Sequence, residues 1–410
     1  MTTSSAPLAA GSPRGRSLPR SVAFVAAAGS FVFVFATAGT PIPLFNTYRA
    51  ADGITKGDLG MVSVGYFVAA AFALLVLGRL SNHLGRRPVA LAALASSLLS
   101  CAVLVSARGL LALLVARILQ GLACGLAPSA LGSYVVDTAP TRPRWLPAVI
   151  TGSAPMVGIP LGALTCGALV EYGPSPRTLI YVVTSTLLAA CATLVAMSPE
   201  TMARRAGAMA SLRPRLQAPA GSGRLLVAAG AAFVATWSLG GFYQAFGPSV
   251  VAEHLRTTSP LVAATMFSSV MILNPVGGPS TARLGQRAAL RLGMVLFVLA
   301  LVCILVSLHA GAFVPLVTAS LVVGLAQGAA STAGIRALLA SAGPAERAGL
   351  LSTIYLVGYS GAATPGMIAG ALASRIDLFR IAIGYAVLGT IAALVAAASA
   401  TNTVEKEIEP

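Results

Sequence analysis

Twelve times along the chain a run of about twenty mostly apolar residues recurs, the length an α-helix needs to cross a hydrocarbon layer roughly 30 Å thick. The runs fall at about 21–45, 58–78, 88–107, 109–134, 146–170, 178–197, 225–251, 260–282, 289–308, 312–340, 348–373 and 380–400. No water-soluble core buries so much apolar helix. The composition agrees: 57% of residues are hydrophobic and 9% charged, against about a quarter charged in soluble domains. The runs lack the period-two alternation of barrel strands and are far longer than about ten residues. The expected class is therefore an all-α, multi-pass membrane protein with the lipid bilayer as its main partner. The net charge of +16 would suggest nucleic acid in a soluble chain. Here the Arg residues sit singly or in pairs between apolar runs, the pattern of topology charges, so no nucleic-acid partner is expected.

Charge placement orients the spans. If both ends of the chain face the cytoplasm, eighteen of the 27 Lys and Arg fall on that side, seven fall outside, and Arg117 and Arg336 remain within helices. The positive-inside rule selects this orientation, in a cell membrane with both termini cytoplasmic. Residues 1–20, polar and Pro-rich, read as a disordered cytoplasmic tail, and 401–410 as a second tail. The run after the first tail is too long for a signal-peptide core. Segment 198–224, "SPETMARRAGAMASLRPRLQAPAGSGR", bisects the chain and reads as a cytoplasmic linker. It separates an N-terminal six-helix bundle, 21–197, from a C-terminal one, 225–400.

The halves repeat. At an offset of 200 residues "GRLSNHLGRRPVA" falls on "GPSTARLGQRAAL", and at 203 "GLACG" falls on "GLAQG". Parallel repeats imply two bundles about an axis along the membrane normal, with a binding site between them near the midplane.

Several short motifs punctuate this plan. Between the second and third spans lies "GRLSNHLGRR", with Gly78, Asn82, Gly85, Arg86 and Arg87. The fourth span carries Arg117, Gln120 and Gly121, and the fifth "GIPLG", with Gly158, Pro160 and Gly162. "PET", Pro199 to Thr201, follows the sixth. Together these motifs and the twelve spans resemble the major facilitator superfamily, particularly its twelve-helix drug/proton antiporter branch, over about 21–400. The sequence departs from the family pattern in two places: Asn82 stands where the family has Asp, and "GIPLG" has one extra residue between its first Gly and the Pro.

The resemblance implies a gate hinge at Gly78–Arg87, and a role for Arg117 in proton coupling or in organising the first bundle. It also implies that the Asp replaced by Asn82 leans on the start of helix 11. The neutral Asn82 would give up an attraction to that helix end of about 0.3–1 kcal/mol. Independently of any family, a charged residue at bilayer depth costs roughly 2.5–3.5 kcal/mol, so Arg117 is expected inside the bundle, paired there, with Gln120 one turn on sharing its partner. Pro160 and its flanking Gly residues, and Pro365 in the eleventh span, can bend or thin their helices.

Asn46, Trp237, Tyr243, Gln244, Asn274, Arg336, Tyr355 and Tyr359 are the polar, cationic and aromatic candidates for a substrate cavity. No carboxylate lies mid-span, so Asp58, at the outer start of the second helix, is the candidate for a proton-coupling site. The five Cys lie in apolar runs without ligand spacing, so neither a metal nor any other cofactor is expected. "GYSG" (358–361) resembles an intramembrane serine protease motif, but no His lies at membrane depth to serve as base. No P-loop is present. An enzyme is not expected.

The favoured function is a secondary active transporter, acting as a monomer on a small-molecule substrate by alternating access. Efflux of lipophilic or amphipathic compounds, with protons as the candidate coupling ion, is preferred. The alternatives are a facilitator or importer of a sugar or aromatic nutrient, and a non-transporting sensor or scaffold.

Overall fold

The computed structural model describes residues 18–214, 216–217, 222–343 and 346–400; most of both expected tails lies outside these. The described residues form helices and turns, with no strand among them. In chain order the long helices are α1 (Arg20–Gly39), α2 (Lys56–Leu77), α3 (Arg86–Val105), α4 (Gly109–Thr138), α5 (Leu146–Tyr172) and α6 (Leu179–Met197). After the linker come α7 (Gly223–His254), α8 (Pro260–Ser280), α9 (Gln286–His309), α10 (Phe313–Ser341), α11 (Arg347–Leu372) and α12 (Leu378–Ser399). All twelve expected spans are therefore helices.

Local chemistry sets their ends. At α2, Thr55 accepts from the Asp58 amide at 3.1 Å while the Asp58 carboxylate accepts from the Thr55 amide at 2.9 Å, a reciprocal capping box. Ser259 caps α8, with Pro260 in the first turn where a missing N–H costs nothing. Asp377 caps α12, and the Arg380 amide it accepts holds its carboxyl below the usual range. Two expected spans are reshaped. The first run ends as α1 at Gly39, because Pro41 and Pro43 remove backbone donors; the chain turns and restarts as a short helix, Phe45–Asp52. Asn46 lies in this short helix. In α8, Pro275 interrupts the ladder at Leu273 beside Asn274.

Each half packs as a bundle: α1 crosses α5, α2 lies on α4, and α3 on α4 and α6. In the second half α7 packs on α11 and α12, α10 on α8, and α9 on α10 and α12. The bundles meet chiefly along α2 with α11 and α5 with α8. Small residues permit these approaches, since helices in lipid associate by close packing rather than by hydrophobic drive. Gly158 and Gly162 of α5 lie against the α1 backbone, and Gly121 of α4 against α2.

Candidate functional site

At the linker end of the first bundle two sequence motifs converge. Gly85 adopts φ +104°, a turn open to glycine, and α3 starts immediately after it. The Glu200 carboxylate of "PET" accepts from the Arg86 amide at 2.8 Å and the Arg87 amide at 3.1 Å, sealing the positive end of α3. Arg86, 8% exposed, donates to Asp137 of α4 at 3.2 Å, to Ser81 at 3.0 Å and to Asn82 at 2.7 Å. Asn82 therefore turns to Arg86 rather than to α11. The described start of α11 instead meets the linker: Gln217 and Thr353 exchange hydrogen bonds of 3.1 Å. The linker is also docked on the first bundle. Arg79 donates to the Ser211 and Arg213 carbonyls at 2.8 Å, and the His83 ring lies 3.0 Å from the Ala206 carbonyl. Glu200→Ala is expected to cost about 1–2 kcal/mol, a capping loss, read as a lower unfolding midpoint of the purified protein. An unchanged midpoint would show that the cap is idle.

Arg117 is fully buried. Its Nη1 donates to the Ala38 carbonyl at 2.7 Å and to Gln120 Oε1 at 2.8 Å, while Gln120 Nε2 donates to the Thr37 carbonyl at 3.0 Å. The guanidinium carbon lies 4.4 Å from the centroid of the Tyr66 ring. Nε and Nη2 have no hydrogen-bond partner among the described residues. Arg117 is thus hydrogen-bonded inside the bundle to a backbone carbonyl and to Gln120 itself, which bonds a different carbonyl rather than sharing a partner, and no carboxylate is among these contacts. α1 stops at Gly39, so its last carbonyls lack regular helical donors; Arg117 caps that of Ala38, and Gln120 joins Thr40 on that of Thr37.

On the side away from the linker the bundles are locked together. Lys56 forms an ion pair with Glu253 of α7. Asn46 donates to the Pro248 carbonyl, Arg49 to Ser249 at 3.3 Å, and Ser259 to Glu171 at 2.7 Å. A Cβ on Gly60 of α2 would stand 2.9 Å from the Gly370 Cα of α11, and one on Gly167 of α5 2.9 Å from the Leu261 Cα of α8. Asn46 is thus part of a seal between bundles. Asp58 lies at the same end, held in its capping box.

Midway between the bundles is a small cavity of about 80 Å³, roughly half the ~150 Å³ apolar void that admits benzene. A larger occupant requires the bundles to part. Phe35, Tyr66 and Phe67 line it from the first bundle and Trp237, Gln244 and Tyr359 from the second, with Gln327 of α10. Pro155, Met156 and Ile159 of α5 complete that wall, adjoining Pro160, whose carbonyl accepts from Ser268 of α8 at 3.4 Å. Trp237 meets Tyr359 edge to face at 4.9 Å and stacks on Phe233 at 5.7 Å. Of the expected cavity residues, Trp237, Gln244 and Tyr359 are in this lining.

The others lie elsewhere. Tyr243 turns into the second bundle and bonds Ser320 at 2.7 Å. Tyr355 packs behind Trp237 on Phe233. Asn274 sits at the α8 break, where its carbonyl abuts Gly328. Arg336 is exposed away from the cavity. Pro365 faces a groove beside α12. Tyr66, Phe67 and Gln327 were not expected. Tyr66 lies eight residues after Asp58 in a mostly apolar span, and Gln327 is the odd residue of the repeat "GLACG"/"GLAQG".

Residues 26–220 match the family profile described as Major Facilitator Superfamily. Multidrug resistance protein MdtM of Salmonella typhimurium is 35% identical over 178 residues. That match spans 40% of this chain and 42% of the relative, so it covers under half of that protein's length. In fold, the chain is similar to the crystal structure of the nucleoside transporter NupG, with TM-score 0.70 and 12% identity, over 92% of this chain and 100% of the other. The sequence of the first bundle is thus similar to the major facilitator superfamily, and the fold of both bundles to that of a solved nucleoside transporter.

Proposed function

We propose that this chain exports small lipophilic or amphipathic compounds across the cell membrane by alternating access, with its linker and both ends in the cytoplasm. The observation that carries the reading is the aromatic, amide-bearing cavity between the bundles, sealed on the side away from the linker. A site of that kind suits a substrate with an apolar body and a few polar groups. The charge asymmetry supports placing the linker inside, which makes the seal the outer gate. Similarity over part of the chain to a multidrug resistance protein supports export rather than import. Expression in a drug-sensitive host should raise resistance, and purified protein in proteoliposomes should move the same compound. Raised uptake would mark an importer, and neither effect a non-transporting protein.

Coupling to protons needs a titrating group whose access alternates. Every Asp and Glu among the described residues lies at a helix end or in a turn. The Asp58 carboxylate accepts from the Thr55 amide and, at 2.7 Å, from its hydroxyl. We therefore expect Asp58→Asn to weaken the start of α2 by about 1 kcal/mol while leaving the pH dependence of transport unchanged. A flattened pH profile would instead assign Asp58 to coupling.

A further inference from the structure

We infer that the central cavity selects flat ring compounds that bear a hydrogen-bond acceptor and no positive charge. This rests on reading the cavity as the transport site and goes beyond it by naming the substrate class. Three observations carry it.

The first is the charge inventory. None of the residues lining the cavity is charged, and among the described residues no carboxylate lies in the middle of any span. A cation entering here would shed its water against a wall holding no counter-charge, which burial penalises heavily. The charge set against its wall has the same sign. Arg117 lies 4.4 Å from the Tyr66 ring, and Tyr66 is part of the cavity wall. Since the hydrogen bonds of Arg117 go to carbonyl oxygens of neutral groups, its field is uncompensated.

The second observation concerns the rings. Aromatic walls can themselves hold cations. Here Tyr66 already carries the Arg117 guanidinium, and Trp237 is stacked on Phe233 and also meets Tyr359 and Tyr355. Such rings suit the offset or edge-on packing of a neutral flat ring.

The third is an open donor. Gln244 is 3% exposed and lines the cavity. Its Nε2 has no hydrogen-bond partner among the described residues. An unmet buried donor is costly, and a substrate carbonyl would satisfy it. The donor stands on the second bundle, opposite the rings of the first, so the occupant would bridge both halves.

Matched bicyclic probes test this: coumarin, uncharged with a carbonyl acceptor, and N-methylquinolinium, a permanent cation of the same size. Binding is read by calorimetry on the full chain in lipid nanodiscs. Coumarin is expected to bind at least tenfold more tightly than N-methylquinolinium. Gln244→Leu should weaken coumarin by about tenfold, and Gln244→Glu should admit the cation with at least a tenfold gain. Cation binding equal to or tighter than coumarin overturns the inference while leaving the cavity a site. Coumarin binding unchanged in Gln244→Leu overturns the donor assignment. No binding of either probe to any of the three proteins overturns the reading of the cavity itself.

Discussion

Arg117→Ala is expected to reduce transport at least a hundredfold while the protein still reaches the membrane. The side chain gathers the loose end of α1, capping the Ala38 carbonyl directly and the Thr37 carbonyl through Gln120. Immediately beyond that end come the turn at Thr40 and the short helix carrying Asn46 and Arg49 to the seal. Losing the anchor frees a segment that links the cavity wall at Phe35 to the gate. Stability should change less than function. The Ala38 carbonyl left unmet costs about 1–3 kcal/mol, but removing a buried charge from the bilayer returns a comparable amount. Arg117→Lys should also fall below a tenth of normal activity. One ammonium cannot reach Ala38 and Gln120 together while lying over the Tyr66 ring, as a planar guanidinium does. Transport assayed in proteoliposomes, beside the yield in membranes, separates these outcomes. Full activity of the Ala variant would show the residue to be incidental.

Arg117 also marks where sequence reading succeeds and where it stops. Its burial follows from the cost of charge in lipid, whatever the fold. Its partners do not, because they are backbone carbonyls exposed by the early end of α1, and any residue supplies a carbonyl. The docked linker escaped notice for the same reason: Arg79 and His83 bind carbonyls of Ser211, Arg213 and Ala206, which no side-chain pattern announces. By contrast, the spans were legible because their length is set by the bilayer. The cavity was half legible. In a span apolar all round, nothing separates a face toward the cavity from one toward lipid, so Tyr66 and Phe67 looked like ordinary membrane residues. Gln244, Trp237 and Tyr359 stand out as polar or aromatic residues in apolar spans. Tyr243 has the same signature, but it is one residue from Gln244 and therefore about 100° around the helix, facing Ser320 instead.

Gly60→Val is expected to open the seal away from the linker, which the proposed orientation makes the outer side. The bundles touch there through bare backbone: a Cβ at Gly60 would lie 2.9 Å from the Gly370 Cα and 3.4 Å from the Phe246 ring. Valine adds two further methyl groups at a contact already too short for one, so α2 and α11 must separate. Overpacking of this kind costs typically 1–3 kcal/mol, charged only against the state in which the seal is closed. The ratio of outward-open to sealed protein should therefore rise by roughly five- to 150-fold. A cysteine at Gln327, in the cavity wall, reports the change through its labelling rate by an impermeant thiol reagent added from outside. Transport should fall at least tenfold, because a cycle that cannot close outside cannot complete. Lys56→Ala supplies the contrast. Its ion pair with Glu253 is partly exposed, with side chains 26% and 38% accessible, and such pairs contribute about 0–1 kcal/mol. Labelling should then rise by no more than about fivefold. If the two variants label alike, backbone packing is not what holds the gate, and the polar contacts of Asn46 and Arg49 with α7 must carry it instead.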